Sequence, residues 1–154
     1  MNARVYRKNH NMLPIIFNIS IGLIYSHKEN IDISVDFYQI NIDDRIVISN
    51  KLGAGLSSTL DDALTSSMLG KAQFFLNGAD TETTGIDIIA TWNTEMIGGD
   101  LDLTFAANFT ETDVVSIFTP PDSGLGQIAP EDIFSEQAIS IIEEWQPQDR
   151  ISLS

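Results

Sequence analysis

Four stretches of this chain alternate apolar and polar residues, and this alternation constrains the fold more than any other feature of the sequence. In residues 100–112 the odd positions up to 109 are apolar, and the even positions are polar apart from Ala106. The other stretches cover residues 17–25, 31–38 and 86–93. Because side chains switch faces at every residue of a strand, each stretch predicts a β-strand with one apolar face. A fifth strand is predicted from Arg150.

The lengths of the connections distinguish between two kinds of sheet. Alternation alone fits a soluble antiparallel sheet on a core as well as the wall of a membrane barrel. Residues 27–30 and 96–100 predict tight turns, the second through the Gly98-Gly99 pair. The connections at 49–83 and 113–148 are long, which is uncommon in compact soluble domains but usual for the outer loops of barrels. Tyr25 and Trp92 lie near the short turns, where an interfacial aromatic girdle is expected.

The predicted fold is therefore all-β: an antiparallel meander of about five strands from a transmembrane β-barrel, with short helices in two long loops. In the first loop, Ser58 and Thr59 are candidate N-caps, and Gly70 is a candidate stop. In the second, Pro130 predicts the start of one helix that continues to about Trp145. The alternation changes phase near Gln39, which predicts either a β-bulge or the exit of the strand from the membrane layer there.

Composition excludes several classes of function. The net charge is −14, so a nucleic-acid partner is not expected. Charged residues make up 19% and apolar residues 43% of the chain, a balance that suits a barrel wall. There is no cysteine, which excludes disulfides and thiolate catalysis. The basic start and the apolar stretch after it resemble a signal peptide, but Asn18 and Ser20 interrupt the apolar stretch at strand period.

No motif predicts an enzyme, a cofactor or a metal site. His10 and His27 are the only histidines, and their spacing does not indicate a catalytic triad. The segment 41–44 offers oxygens to calcium without the rest of an EF-hand loop, and 53–55 is a weak candidate for a phosphate cradle. The loop residues considered as ligand contacts, none of which is assigned as a site, are Asp61, Asp80, Asp122 and Trp145.

Several segments together resemble a known family. Residues 35–46 read VDFYQINIDDRI, residues 77–87 read NGADTETTGID, and residues 98–103 read GGDLDL. In this order they resemble the C-terminal part of the barrel of TonB-dependent outer-membrane receptors. The resemblance implies a plugged barrel of about 22 strands. It implies uptake of siderophore-bound iron, vitamin B12 or a similar nutrient across the outer membrane of a Gram-negative bacterium.

The resemblance also sets expectations about boundaries and partners. Residues 15–154 are expected to be a partial receptor barrel, truncated at both ends and not competent for transport alone. Residues 1–14 match poorly and are expected to be unstructured. The implied partners are outer-membrane lipid, the rest of the barrel and its plug, a small ligand such as a metal chelate, and TonB only through a missing N-terminal part. The alternatives are a soluble β-sandwich that binds carbohydrate or a protein and, least favoured, a secreted β-rich hydrolase.

Overall fold

The computed structural model describes residues 13–28, 30–119 and 124–154, and these residues form an antiparallel sheet with small helices at one end. The elements, in chain order, are β1 (Ile15–His27), β2 (Ile31–Ile48), β3 (Leu52–Gly53), α1 (Ser58–Ser66), β4 (Lys71–Ala72), β5 (Phe75–Met96), β6 (Gly99–Ile117), α2 (Pro130–Ile133), α3 (Glu136–Glu144) and β7 (Asp149–Leu153). The five-stranded sheet has the order β1-β2-β5-β6-β7, and β3 pairs with β4 alone. The predicted all-β class, with a five-stranded antiparallel meander and short helices in the loops, is confirmed.

The central strands are much longer than those of most globular proteins. β5 has 22 residues and β6 has 19. At about 3.3 Å per residue, β5 is about 70 Å long, whereas strands of globular domains usually have about 3–10 residues. Both strands extend beyond the predicted boundaries, so the long connections are residues 49–74 and 118–148 rather than 49–83 and 113–148. The alternation outside the apolar stretches is too weak to reveal these extensions.

Of the two explanations for the phase change near Gln39, the bulge is wrong. The pairing of β1 with β2 runs without a break from Ile15↔Asp43 to His27↔Ile31. The phase of the pattern changes because Ile40 and Ile42 lie on the other face of the sheet, where they line a cleft beside α3. Partial cover by a helix, and not a slip of the backbone, explains the change.

Bulges do occur further along, at one level of three neighbouring strands. Between Ile42↔Thr81 and Arg45↔Ala79, β2 has one residue more than β5, and Asp44 there has a φ of 56°. Gly78 is the extra residue of β5. Val115 is the extra residue of β6. One extra residue moves the following side chains to the other face of the sheet. On each of these strands, a given face therefore receives odd-numbered residues on one side of the bulge and even-numbered residues on the other.

Beyond the bulges, the two long connections pack together into a unit that we call the cap: residues 49–74, 118–119 and 124–148. Its buried apolar cluster, which includes residues from the strand ends, consists of Val47, Leu52, Leu60, Leu64, Leu76, Ala79, Leu125, Ile128, Ile133 and Phe134. Backbone hydrogen bonds join the connections: Asn50 N–H donates to Ile133 O at 2.8 Å. Ser135 Oγ donates to Asn50 Oδ1 at 3.0 Å. The apolar core of the described chain therefore lies at one end of the sheet.

The helices of the cap differ in detail from the prediction. The N-cap of α1 is Ser57, whose hydroxyl accepts from Leu60 N–H, rather than Ser58 or Thr59. α1 ends before Met68, which adopts a φ of 54°, so Gly70 is not the stop. The second predicted helix is two helices, because Phe134 takes an extended conformation and is buried in the cap. Ser135 then caps α3 by accepting from Ala138 N–H.

The predicted short turns are present, with small corrections. Lys28 has a φ of 50° in the first turn. In the second, Gly98 has a φ of 104°, and Gly99 already belongs to β6 without a positive φ. Pro120, Pro121 and residues 1–12 lie outside the described residues, so the expectation for residues 1–14 is not tested.

Candidate functional site

One face of the five-stranded sheet carries a continuous apolar surface, which we call the apolar band. The strand registers place these side chains on one face because each is a direct partner of the next or is two residues from it. The apolar band consists of Ile15, Phe17, Ile19, Ile21, Leu23, Tyr25, Ile31, Ile33, Val35, Phe37, Ile86, Ile88, Ala90, Trp92, Leu101, Leu103, Phe105, Ala107, Phe109, Ile151 and Leu153.

No described residue covers the apolar band from above. On the central strands β2 and β5, Phe37 is 53% exposed and Trp92 is 46% exposed. The buried apolar cluster is in the cap and includes no residue of the band. Contiguous apolar surface over five strands is more than a soluble monomer usually leaves in water, and such surfaces mark contacts with a membrane or a protein.

A row of polar residues limits the apolar band on the side of the cap. Gln39, Thr84 and Glu111 are direct partners across three strands and follow Phe37, Ile86 and Phe109 on the same face. Acidic residues come next on the same face, with Glu82 opposite Asp113. On β2, β5 and β6 this face therefore changes from apolar to polar at the same row, whereas on β1 the apolar residues Ile19, Phe17 and Ile15 continue opposite Gln39, Asn41 and Asp43.

The opposite limit of the apolar band crosses the strands obliquely. Its last residues, in the order of the strands, are Tyr25, Ile31, Trp92 and Leu101. Tyr25 and Ile31 are offset by two residues in the register, and Ile31 faces Trp92 directly. Trp92 and Leu101 are offset by two more, so the limit shifts by four residues over three strand pairs. At about 3.3 Å per residue and about 4.8 Å between strands, this shift means that the strands make an angle of about 40°, within the sheet, with the perpendicular to this limit.

The other face of the sheet, which we call the polar face, holds a hydrogen-bonded cluster in its centre. Asn108 Nδ2 donates to Asp87 Oδ1 at 2.6 Å and to the hydroxyl of Tyr38 at 3.4 Å. The Tyr38 ring lies directly over Gly85, its cross-strand partner, where a Cβ atom would overlap with the ring. In the same way, the carboxylate of Asp36 occupies the space over Gly22 that a Cβ atom would need. Glycines on the partner strands thus allow these side chains to lie flat.

The helix α3 covers the polar face at the level of the bulges and leaves a cleft beside it. Glu143 Oε1 accepts from Val114 N–H at 3.0 Å and fastens the helix to β6 next to the bulge. Trp145, the C-cap residue of α3, lines this cleft together with Ile40 and Ile42 and is 77% exposed. The cleft has a volume of about 380 Å³.

The structure separates the loop residues that the sequence offered as ligand contacts. Asp61 accepts from Gly55 N–H at 2.8 Å and stabilises the start of α1. Asp80 lies in β5 and accepts from Asp44 N–H and from Ser116 Oγ, both at 2.9 Å. Asp122 lies outside the described residues. Trp145 therefore differs from Asp61 and Asp80 in facing an open cleft.

The other candidates for chemistry do not come together. Tyr25 lies next to His27, with the Tyr25 hydroxyl 3.4 Å from His27 Nδ1, and no serine or carboxylate of the described residues hydrogen-bonds to His27 to form a triad. Gly53 belongs to β3, and Gly55 has a φ of 98° in the turn that follows. In residues 13–28, 30–119 and 124–154, no three acidic or histidine side chains are grouped so as to hold a metal ion. Within the same residues, no helix is long and apolar enough to cross a bilayer.

Comparison with family models, curated proteins and solved structures gave no match. The resemblance to TonB-dependent receptors therefore stays a prediction from the residues quoted above.

Sequence reasoning missed the polar-face cluster and most of the cleft. Tyr38, Asp87 and Asn108 are far apart in sequence, and only the register brings them together. Gly85, an isolated glycine within a strand pattern, was the available signal, since such glycines often mark a close approach of another group. The sequence offers Trp145 as a ligand contact, but it does not point to the strand residues that line the cleft beside it.

Proposed function

We propose that this chain forms a segment of the wall and outer cap of an outer-membrane receptor of the TonB-dependent type, which takes up a small nutrient ligand. In this arrangement the apolar band faces lipid, the polar face lines the inside of the barrel, and the cap lies on the outer side of the membrane. The short turns lie on the periplasmic side, as in other outer-membrane barrels.

The uncovered apolar band across five strands is the observation that carries the proposal, and the oblique limit beside the short turns agrees with it. Strands in closed barrels tilt by about 35–45° from the barrel axis, and transmembrane strands tilt by about 45°. The limit beside the short turns gives about 40° when it is taken as the edge of a lipid layer, whereas on β2, β5 and β6 the limit beside the cap follows one row of partners. A second sheet packed on this face would also bury the band, and the liposome test below distinguishes the two arrangements.

The length and the chemistry of the strands also support the proposal. β5, with 22 residues, is more than long enough to cross the hydrocarbon layer and continue into the outer region. The acidic residues of the outward face, including Glu82 and Asp113, lie beyond the band, where a barrel wall leaves the lipid. Trp92 and Tyr25 occupy the band's limit near the short turns, as interfacial aromatics do.

A barrel wall requires further strands. β1 pairs with β2 alone and β7 with β6 alone among the described residues. A strand edge in lipid leaves peptide groups without hydrogen bonds, each at a cost of several kcal/mol. The partners in our proposal are therefore the remaining strands of the receptor, its plug and, on the outward face, lipid.

Two neighbouring residues on opposite faces provide the test. Val35 lies in the middle of the apolar band, and Ser34 lies next to it on the polar face. We expect the full chain, refolded with liposomes of outer-membrane lipids, to bind the vesicle surface through the apolar band and to float with the vesicles, which does not require its edge strands to cross the bilayer. Val35→Arg should prevent this, because arginine at the centre of a lipid-facing surface costs about 2–4 kcal/mol. Ser34→Arg is the matched control and should float like the unchanged chain.

The contrary results are equally clear. A folded, water-borne monomer that does not bind liposomes would overturn the proposal and favour a soluble sheet. Equal flotation of Val35→Arg and Ser34→Arg would show that the apolar band does not face lipid.

A further inference from the structure

We infer that the cleft beside α3 binds a neutral saccharide. This inference rests on the proposed function, because the cleft lies on the face of the sheet that the proposal turns to the inside of the barrel. The cleft's volume of about 380 Å³ is within the range of about 300–1,000 Å³ that is typical of small-molecule sites.

Part of the lining of the cleft is apolar. Ile40 and Ile42 from β2 and Ile141 and Ile142 from α3 line it. Trp145 stands at the open side with 77% of its surface exposed. An exposed indole costs free energy in water, and tryptophan has a flat apolar surface suited to contact with the C–H face of a sugar ring.

The remaining lining residues carry groups that both donate and accept hydrogen bonds. The hydroxyls of Thr83 and Thr112 lie 2.8 Å apart on neighbouring strands. Gln148 is fixed on the adjacent strand position by its carbonyl, which accepts from Thr110 N–H at 2.8 Å. Gln146 adds a second amide at the rim. Sugar hydroxyls also donate and accept, so they match threonine and glutamine side chains in either direction.

The charges of the cleft argue against an ionic ligand. Arg45 and Glu143 are the charged residues that line it, and their charges balance. Arg45 Nη1 donates to Thr81 Oγ1 at 3.2 Å, and Glu143 Oε1 accepts from Val114 N–H at 3.0 Å. Both side chains are thus engaged with the sheet. An anionic iron chelate would need additional cations, and the chain has a net charge of −14.

The test uses Trp145 as its own probe. The chain contains two tryptophans, so Trp92→Phe leaves Trp145 as the sole indole. The full chain carrying this change, in detergent micelles, is titrated with maltotriose, cellotriose and xylotriose, and separately with ferric citrate and trialanine. We expect a saturable change in Trp145 emission with at least one trisaccharide and no change with the chelate or the peptide. Calorimetry of Trp145→Ala should then show about a tenfold weaker affinity for that sugar.

A matched pair of threonines separates the cleft from the rest of the polar face. Thr112 and Thr104 lie on the same face of β6, but only Thr112 lines the cleft. Thr112→Val should weaken the binding of the sugar severalfold, because it removes a hydroxyl at nearly constant volume, and Thr104→Val should leave it unchanged.

Each contrary outcome overturns the inference. These outcomes are no response to any trisaccharide, a response to ferric citrate or trialanine in its place, or equal binding by the two threonine variants. Failure of the proposed function is seen separately, because flotation of the chain with liposomes does not depend on the cleft.

Discussion

Trp92 and Trp145 lie on opposite faces of the same sheet. Trp92 is the cross-strand partner of Ile31 and Leu103 in the apolar band, whereas Trp145 lines the cleft on the polar face. The two tryptophans of the chain therefore report on the two surfaces to which we assign different surroundings.

This arrangement predicts opposite accessibility to lipid. In bilayers that contain brominated phospholipid, Trp145→Phe should show strong quenching, because the remaining Trp92 lies in the band. Trp92→Phe should show little quenching under the same conditions and should instead be quenched by aqueous iodide. Equal quenching of both variants by brominated lipid would contradict the assignment of the two faces.

The close approach of Tyr38 to Gly85 predicts a steric effect on stability. Gly85→Ala places a methyl group where the Tyr38 ring lies, and overpacking of this kind costs about 1–3 kcal/mol. The free energy of unfolding by urea in detergent measures the effect. Gly99→Ala is the control, since nothing lies within 4 Å of its Cβ position. Combining Gly85→Ala with Tyr38→Ala should cost less than the sum of the two single changes, and strict additivity would contradict the contact.

The break between α2 and α3 predicts a specific role for Ser135. Its hydroxyl accepts from Ala138 N–H and donates to Asn50 Oδ1. Ser135→Ala should lower the free energy of unfolding by about 1 kcal/mol, since it removes an N-cap. Ser140→Ala in the same helix removes only an exposed contact with Glu144 and should have almost no effect. Equal losses of stability from Ser135→Ala and Ser140→Ala would contradict the role of Ser135 as the N-cap of α3.

Because the cap has its own buried core, a cavity in that core should destabilise the cap and leave the strands of the apolar band folded. Phe134 is buried in this core and packs over Gly78. Phe134→Ala should cost about 3–5 kcal/mol within the cap. Proteolysis of bilayer-bound chain should then cleave residues 49–74 and 124–148 faster while the strands of the band stay protected. Met68→Ala, at a side chain that is 94% exposed, is the control. Cleavage throughout the sheet in Phe134→Ala would contradict an independent cap.

The strands of the apolar band were predictable because their periodicity is a local property. Leu101 to Phe109 alternate within one segment, and so the face of each residue can be assigned without knowledge of its neighbours. The strand extensions toward the cap were not predictable, because bulges at Asp44, Gly78 and Val115 interrupt the alternation. The split of the second helix at Phe134 depends on burial against distant residues, which the sequence pattern of the loop does not contain.

The cleft was even less accessible to sequence reasoning. Trp145 was one of four loop residues under consideration, and nothing local distinguished it from Asp61 or Asp80. The strand register determines which residues lie beside Trp145, since it places Ile40 and Thr112 on the face that α3 covers. Such a site depends on the pairing of Ile40 with Thr83 and of Thr83 with Thr112, and composition cannot reveal these pairings.

The bulges at one level of β2, β5 and β6 have an evolutionary consequence. In the receptor that we propose, the cap lies beyond the bulges, so insertions and deletions there leave every side chain of the apolar band on the face that meets lipid. Selection for a new nutrient would then remodel the cap end of these strands, while the other end keeps its fit to the bilayer.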